Sequence, residues 1–305
     1  MPREKSDISR TRIKIGISSC LMGNPVRYNG GHRRDPYITT VLSGYFEFIP
    51  FCPEVAIGLD IPRPIIRLEG SAEAPHAVMP DAGNRDVTAE LHDYAREIGN
   101  TWTDISGYIL KSRSPSCGMQ GINIYDEDGN PAATGAGIYA DTLMKCRPLL
   151  PVEDERRLRE TARRDSFFKR IFVYHSWQRL LAEGITEKKL TLFHKEQRFL
   201  NIASDQILIS TLERLITGSQ GNIERSAAIY MERLMKNLND PVKHRVQTGI
   251  LQKIAGSLRP VLENRDRTVL DEAIAGYRKN HLPLIVPLTL VHHHLHSNRE
   301  ILATG

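Results

Sequence analysis

Three short apolar runs constrain this chain more than any other feature. They are IKIGISS (13–19), FEFIPF (46–51) and GYILK (107–111), and each gives way to Gly, Pro or Ser. Runs of this length bounded by turn residues read as buried strands. Helical patterns lie between them. DPYITTVLSG (35–44) reads as a short helix closed by Gly44, and Val87, Leu91, Tyr94, Ile98 and Trp102 share one helical face. Strand, helix, strand, helix, strand predicts an α/β fold built on a Rossmann-like parallel sheet. Ligands of such sheets sit beyond the carboxyl ends of the strands.

That alternation stops near PLLP (148–151). From about Glu153 the chain reads as helix after helix: a charged one through Arg170, another over 189–203, and more over 230–238 and 245–261. Breaks are expected at Gly184, 218–221, Pro241, Pro260 and Pro283. The tail HLPLIVPLTLVHHHLH reads as a partly buried helix pair broken by Pro287. Two domains follow, α/β over 1–150 and all-α over 151–305, as expected for a chain of 305 residues. No apolar run reaches the roughly 18 residues that span a bilayer. The polar start MPREKSDISRTR is no secretory signal, so a cytoplasmic location is expected.

Charge divides along the same line. Residues 1–150 carry 16 Lys and Arg against 18 Asp and Glu, whereas residues 151–305 carry 25 against 18. The second half therefore suits an anion, of which nucleic acid is the commonest large one, or simply a solvated basic surface.

Four cysteines are too few for a disulfide scaffold. Cys20, Cys52 and Cys117 each follow one of the three strands, beside Gly, Pro or Ser. In a parallel sheet all three leave the same edge and can converge. Cys146, on a helix end, has no such company. One thiol at a strand end reads as a small buried hydrophobe; three at equivalent positions suit zinc or an iron–sulfur cluster. The chain has no CxxC pair of the kind zinc prefers. A cluster gripped by three separated loops leaves one iron without a protein ligand, hence a Lewis acid.

SSCLMGNPVRYNGGHRR (18–34), PFCPEVAIGLDIPRPIIRL (50–68) and LKSRSPSCG (110–118), in this order, resemble the bacterial thiouracil desulfidase family. The second half, with FHKEQRFLNIAS (193–204) and NHLPLIVPLTLVHHHL (280–295), is similar to a helical domain of long-unknown function often fused behind it. Fused proteins of this kind are implicated in removing sulfur from 4-thiouridine in tRNA. The resemblance implies a [4Fe-4S] cluster on Cys20, Cys52 and Cys117. Its open iron would bind the thiocarbonyl sulfur, so that water attacks the ring carbon without net redox change.

On that footing Glu54, two residues past a ligand, is the candidate general acid and base. Ser112 is the candidate hydroxyl that orients water or relays a proton, with Ser114 next; both serines also suit turn capping. Arg27, Tyr28, Arg33, Arg34, Lys111 and Gly118 are the candidate substrate contacts, with Arg33 or Arg34 meeting RNA phosphate, and Arg63 and Arg67 able to do the same. Gly135 and Gly137 allow close backbone approach. Lys188, Lys189, Lys195 and Arg198 form the candidate RNA patch, with Phe193 and Phe199 interleaved and better suited to the core. His292 and His296 have the i,i+4 spacing of zinc ligands but lack a second pair, which favours a helix surface. Two other readings stay open: a desulfidase of free 2-thiouracil, and a non-catalytic, zinc-stabilised RNA-binding protein.

Overall fold

A computed structural model describes residues 12–200, 205–218, 222–240 and 242–297, without the side chains of residues 199, 200, 296 and 297. In chain order the strands are β1 (Ile13–Ser18), β2 (Phe46–Phe51), β3 (Arg67–Gly70), β4 (Pro75–Met79), β5 (Arg85–Asp86), β6 (Tyr108–Leu110), β7 (Ile122–Tyr125), β8 (Pro131–Gly135) and β9 (Val152–Asp154). The helices are α1 (Pro53–Ala56), α2 (Thr88–Thr101), α3 (Ile138–Cys146), α4 (Thr161–Ala182), α5 (Glu187–Leu200), α6 (Gln206–Thr217), α7 (Ile223–Asn239), α8 (His244–Leu258), α9 (Asn264–Arg278) and α10 (Ile285–Ser297). The molecule is α/β and then all-α, as the sequence predicts. Among the described residues no helix is long and apolar enough to cross a membrane.

The first sheet runs β2-β1-β6-β9, every pair parallel. Ile15, Ile17, Tyr108, Ile109 and Leu110 are buried, as befits strands covered on both faces. The fourth strand, β9, lies past residue 150, so the sheet crosses the expected domain boundary. Its residues Val152, Glu153 and Asp154 are mostly charged and offer no apolar run. They are buried nonetheless, because Glu153 pairs with Arg157 at 2.5 Å and Asp154 accepts the Arg156 and Arg157 amides at 2.9 Å. A second sheet, β5-β4-β3-β7-β8, was not legible in the sequence: its strands are two to five residues long and lie among Gly, Pro and Asp.

α4 joins the halves. Residues from Asp165 to Leu180 are buried on several sides of it. Phe168 packs on Phe46 of β2 at 5.9 Å, and a Cβ on Gly107 would lie 2.9 Å from Ile171. One apolar cluster unites Ile15 and Ile17 with Phe167, Leu251 and Leu288; another unites Tyr108 and Cys117 with Val173, Trp177 and Tyr230. Asp165 accepts from the Tyr277 hydroxyl at 2.7 Å, pinning α4 to α9. The tail forms one helix, α10, not a pair. Pro287 falls in its first turn, where a missing N–H costs nothing.

Because the core is continuous across both halves, Phe168→Ala should cost about 3–5 kcal/mol. Unfolding in denaturant followed by far-UV circular dichroism and by Trp102 and Trp177 fluorescence should give one shared transition, moved to lower denaturant in the variant.

Candidate active site

β2, β1 and β6 are neighbours, so the cysteines that follow them emerge side by side at one sheet edge. Cys20 lies in the tight turn Ser19–Met22, closed by Gly23 at φ +101°. Its carbonyl accepts the Arg33 amide at 2.9 Å, which ties the loop GGHRR to it. Cys52 precedes Pro53, the first residue of α1. Cys117 is set by a loop that docks on α3. The amides of Ile138 and Ala140 donate to the carbonyls of Pro115 and Ser116 at 3.1 Å, so orphan donors of the helix N-terminus hold the loop. A Cβ on Gly137 would lie 2.6 Å from the Ser116 carbonyl, which explains this glycine.

Cys20, Cys52 and Cys117 line one cavity of about 170 Å³. Cys146 is exposed at the end of α3 and is not among its lining residues. Burial pushes the thiol of Cys20 up to about 11 and that of Cys52 up to about 12, and Glu54 adds to both. Burial likewise lifts Cys117 well above its usual range, with further increments from Glu54, Cys52 and Cys20. The three thiols thus feel one another and Glu54, and unaided they stay protonated. A cationic centre among them reverses that preference and draws out thiolates.

Glu54 sits on α1 against this cavity, its carboxylate 3.3 Å from Arg63 and 3.2 Å from the Cys52 sulfur. Arg63 is buried and also donates to the Val26 carbonyl at 3.0 Å, so its guanidinium is committed to holding Glu54 at the cavity wall. Arg67 is likewise committed, to Glu69 at 2.5 Å and to the Tyr125 ring. Ser112 is buried at the cavity, and its partner is a residue the sequence did not disclose. Glu155, just past β9, accepts from the Ser112 hydroxyl at 2.6 Å, the Ser112 amide at 2.8 Å and the Lys111 ammonium. Burial alone would raise the Glu155 carboxyl, but these donors outweigh it and hold it below the usual carboxylate range. Its one sequence signal is a position immediately after buried carboxylates. The Ser114 oxygen accepts from the amides of Ser116 (3.2 Å) and Cys117 (3.0 Å), so Ser114 caps the turn while also lining the cavity.

Arg27, Tyr28 and Lys111 line the cavity as expected. Arg33 lines an adjoining groove, whereas Arg34 is turned to Thr39 at 3.2 Å. Gly118 is not at the cavity: a Cβ there would lie 2.3 Å from Ile122 and 2.7 Å from the Ser114 carbonyl, so packing requires it. In the candidate RNA patch Lys188 is exposed, Lys189 donates to the Glu183 and Gly184 carbonyls, and Arg198 is 3.6 Å from Glu213. Lys195 is half-buried. Phe193 is core, against Trp177 and Tyr230; the Phe199 side chain lies outside the described residues. His292 stacks on Phe172 with ring centroids 4.4 Å apart, and the His296 side chain is also outside the described residues.

The donor set discriminates between metals. Among the described residues no group of three or more His, Cys, Asp or Glu is gathered as for a single metal ion, which does not suit tetrahedral zinc. Three soft thiols around one cavity fit an iron–sulfur cluster, whose own sulfides bridge more widely spaced ligands.

Fold and site together define a thiol-lined α/β catalytic unit backed by a helical half. The description 2-thiouracil desulfurase matches residues 15–155, and a family described as a protein of unknown function (DUF1722) matches residues 198–303. The uncharacterized protein YbbK of Bacillus subtilis (strain 168) is 33% identical over 140 residues, 42% of this chain and 88% of that protein. The uncharacterized protein YbgA of Escherichia coli (strain K12) is 27% identical over 133 residues, 43% of this chain and 79% of that protein. A solved [4Fe-4S]-dependent thiouracil desulfidase, TudS, is 33% identical, covering 49% of this chain and 95% of its own, with a TM-score of 0.37. Through its first half the chain belongs to the 2-thiouracil desulfurase family.

Glu155→Gln should lower stability by about 1.5–3 kcal/mol at neutral pH, since it removes charge-assisted hydrogen bonds. A carboxyl held low in the folded state stabilises above its unfolded pKa and loses that contribution as pH falls through the folded value. The gap between wild type and variant, read from denaturant midpoints, should therefore close below about pH 4.

Proposed function

We propose that this protein hydrolyses the C–S bond of a thiolated uracil, with 4-thiouridine in tRNA as its substrate, yielding uridine and sulfide. The observation that carries the proposal is the convergence of Cys20, Cys52, Cys117 and Glu54 on one cavity in a chain of the 2-thiouracil desulfurase family. Cys20, Cys52 and Cys117 would hold a [4Fe-4S] cluster, which when bound supplies a Lewis-acidic iron for the thiocarbonyl sulfur.

The chain's own residues supply the rest. Tyr28, Phe51 and Ile65 line the cavity with apolar surface suited to a pyrimidine ring. The Glu54 carboxylate, held by Arg63, takes a proton from the attacking water and returns one to the ring or the departing sulfide. The Ser112 hydroxyl donates to Glu155 and accepts from the Lys111 ammonium at 3.1 Å, which leaves one oxygen lone pair to receive a hydrogen bond from that water. The thiocarbonyl and water become a carbonyl and hydrogen sulfide, with no change in electron count. The excess of positive charge over residues 151–305 supports RNA as the carrier of the base. Among the described residues Arg198 is the patch member in an ion pair, Lys189 is held by backbone carbonyls, and Lys188 and Lys195 are engaged by neither.

After anaerobic reconstitution the wild-type protein should bind iron and absorb broadly in the visible. Cys20→Ala, Cys52→Ala and Cys117→Ala should lose both properties, and Cys146→Ala should keep them; a wild type that stays colourless and iron-free sinks the cofactor assignment. Glu54→Gln should keep the iron and lower kcat by about 10²–10⁴-fold. The assay is sulfide released from 4-thiouridine in bulk tRNA, with free 2-thiouracil in parallel. Turnover of the free base alone would replace tRNA as substrate.

A further inference from the structure

Strand β1, in the middle of the first sheet, ends on Ser18. It is in register with Phe51 of β2, just before Cys52, and follows the pairing of Ile17 with Ile109 of β6. Ser18 therefore stands where all three cysteine-bearing loops leave the sheet. It is 2% exposed and lines the cavity with Cys20, Cys52 and Cys117, yet neither the proton route nor the substrate contacts use it.

The Ser18 Oγ accepts the Lys111 amide at 2.9 Å. That bond fixes the oxygen across the β1–β6 seam and fills one of its lone pairs. The hydroxyl proton is still to be placed: among the described residues no nitrogen or oxygen is paired with it. A buried O–H needs an acceptor, and the cavity offers sulfur. Burial lifts the Cys117 thiol, while the Ser18 hydroxyl acts the other way, favouring the thiolate. The other two thiols are served differently. Cys52 has the Val55 amide in the first turn of α1, and Cys20 has the charges of Lys111 and Arg27.

We infer that Ser18 is a positioning residue for the cofactor: its hydroxyl donates to the sulfur of Cys117 and draws charge off that ligand, which strengthens the open iron as an acceptor for the thiocarbonyl sulfur. The inference deepens the desulfidase reading and rests on its cofactor. A thiolate that shares its charge with an O–H donor gives less of it to iron, which raises the reduction potential of the centre and its affinity for a further donor. No electron moves in the reaction; the potential only gauges the charge on the centre. Because Lys111 precedes Ser112, the same hydroxyl also ties the strand end that carries Ser112 to the Cys117 loop.

The test compares the anaerobically reconstituted wild type with Ser18→Ala and with Ser18→Thr, which keeps both the oxygen and its proton. Ser106→Ala is the control for losing a buried hydroxyl, since Ser106 lies at the opposite end of the sheet and donates to Gln178 at 2.6 Å. Ser18→Ala should bind as much iron as wild type but show a lower midpoint potential. The shift of its Fe–S stretching bands in D2O, read by resonance Raman, should be smaller than in wild type. Ser18→Thr should restore both properties and Ser106→Ala should change neither. Sulfide release should fall about tenfold to a hundredfold in kcat/KM in Ser18→Ala. A wild-type potential and D2O shift in Ser18→Ala overturn the inference even where activity falls, because that pattern belongs to a hydroxyl that meets water or substrate. Should Ser18→Ala keep its far-UV circular dichroism and fail to hold iron, Ser18→Thr decides. Iron bound with the wild-type D2O shift sustains the inference, and iron bound without it sinks it. The predicted shifts in a protein that turns over no thiolated uracil keep the role of Ser18 and fell the desulfidase reading alone. A wild type that binds no iron removes the cofactor assignment and this inference with it.

Discussion

Everything functional in this molecule depends on three parallel strands ending together. The order β2-β1-β6 places the residues after Phe51, Ser18 and Leu110 side by side, although they are tens of positions apart in the chain. No local motif could bring Cys20, Cys52 and Cys117 to one cavity. Parallel pairing does so without added machinery, because each strand must release its chain at the same edge. The loops then need only be short and well anchored. Arg33 anchors the first through Cys20, α1 the second, and the N-terminus of α3 the third.

The same packing explains why the site is strongly polarised yet enclosed. Burial makes thiolates costly, and Glu54 makes them costlier. Arg27, Arg63 and Lys111 line the same cavity and work in the opposite direction, Lys111 and Arg27 on Cys20 and Arg63 on Cys52. Thiols in this setting would ionise only beside a cationic centre, so that binding such a centre and losing the thiol protons would be one event.

Much of this was legible in sequence, for a definite reason. IKIGISS and GYILK are apolar because both faces of the inner strands are covered, and the edge strand FEFIPF still buries Phe46 and Phe51, so hydrophobicity alone located the strands, and the strands located the cysteines. β9 escaped notice because its buried residues are Val-Glu-Asp, satisfied by Arg157 and by backbone amides that no sequence pattern announces. Glu155 was missed along with it. The second sheet escaped because strands of two to five residues carry too few alternations to count. Arg63 carried no sequence sign of its pairing with Glu54, which only its buried position discloses.

The position of β9 also settles what the helical half contributes to the site's geometry. β9 is an edge strand of the catalytic sheet, and within a few residues of it the chain enters α4, the helix on which both apolar clusters converge. Glu155 and the turn carrying Arg156 and Arg159 lie in that short span. Ser112 is therefore held through a residue whose own placement is fixed by the seam between the halves. A shift of α4 against the sheet would be felt at Glu155, then at Ser112 and Lys111, and also at Cys20 and Cys117 through the apolar clusters they share with α4. The helical half is in this sense built into the active-site wall, and its packing against the sheet is a condition of the serine's alignment.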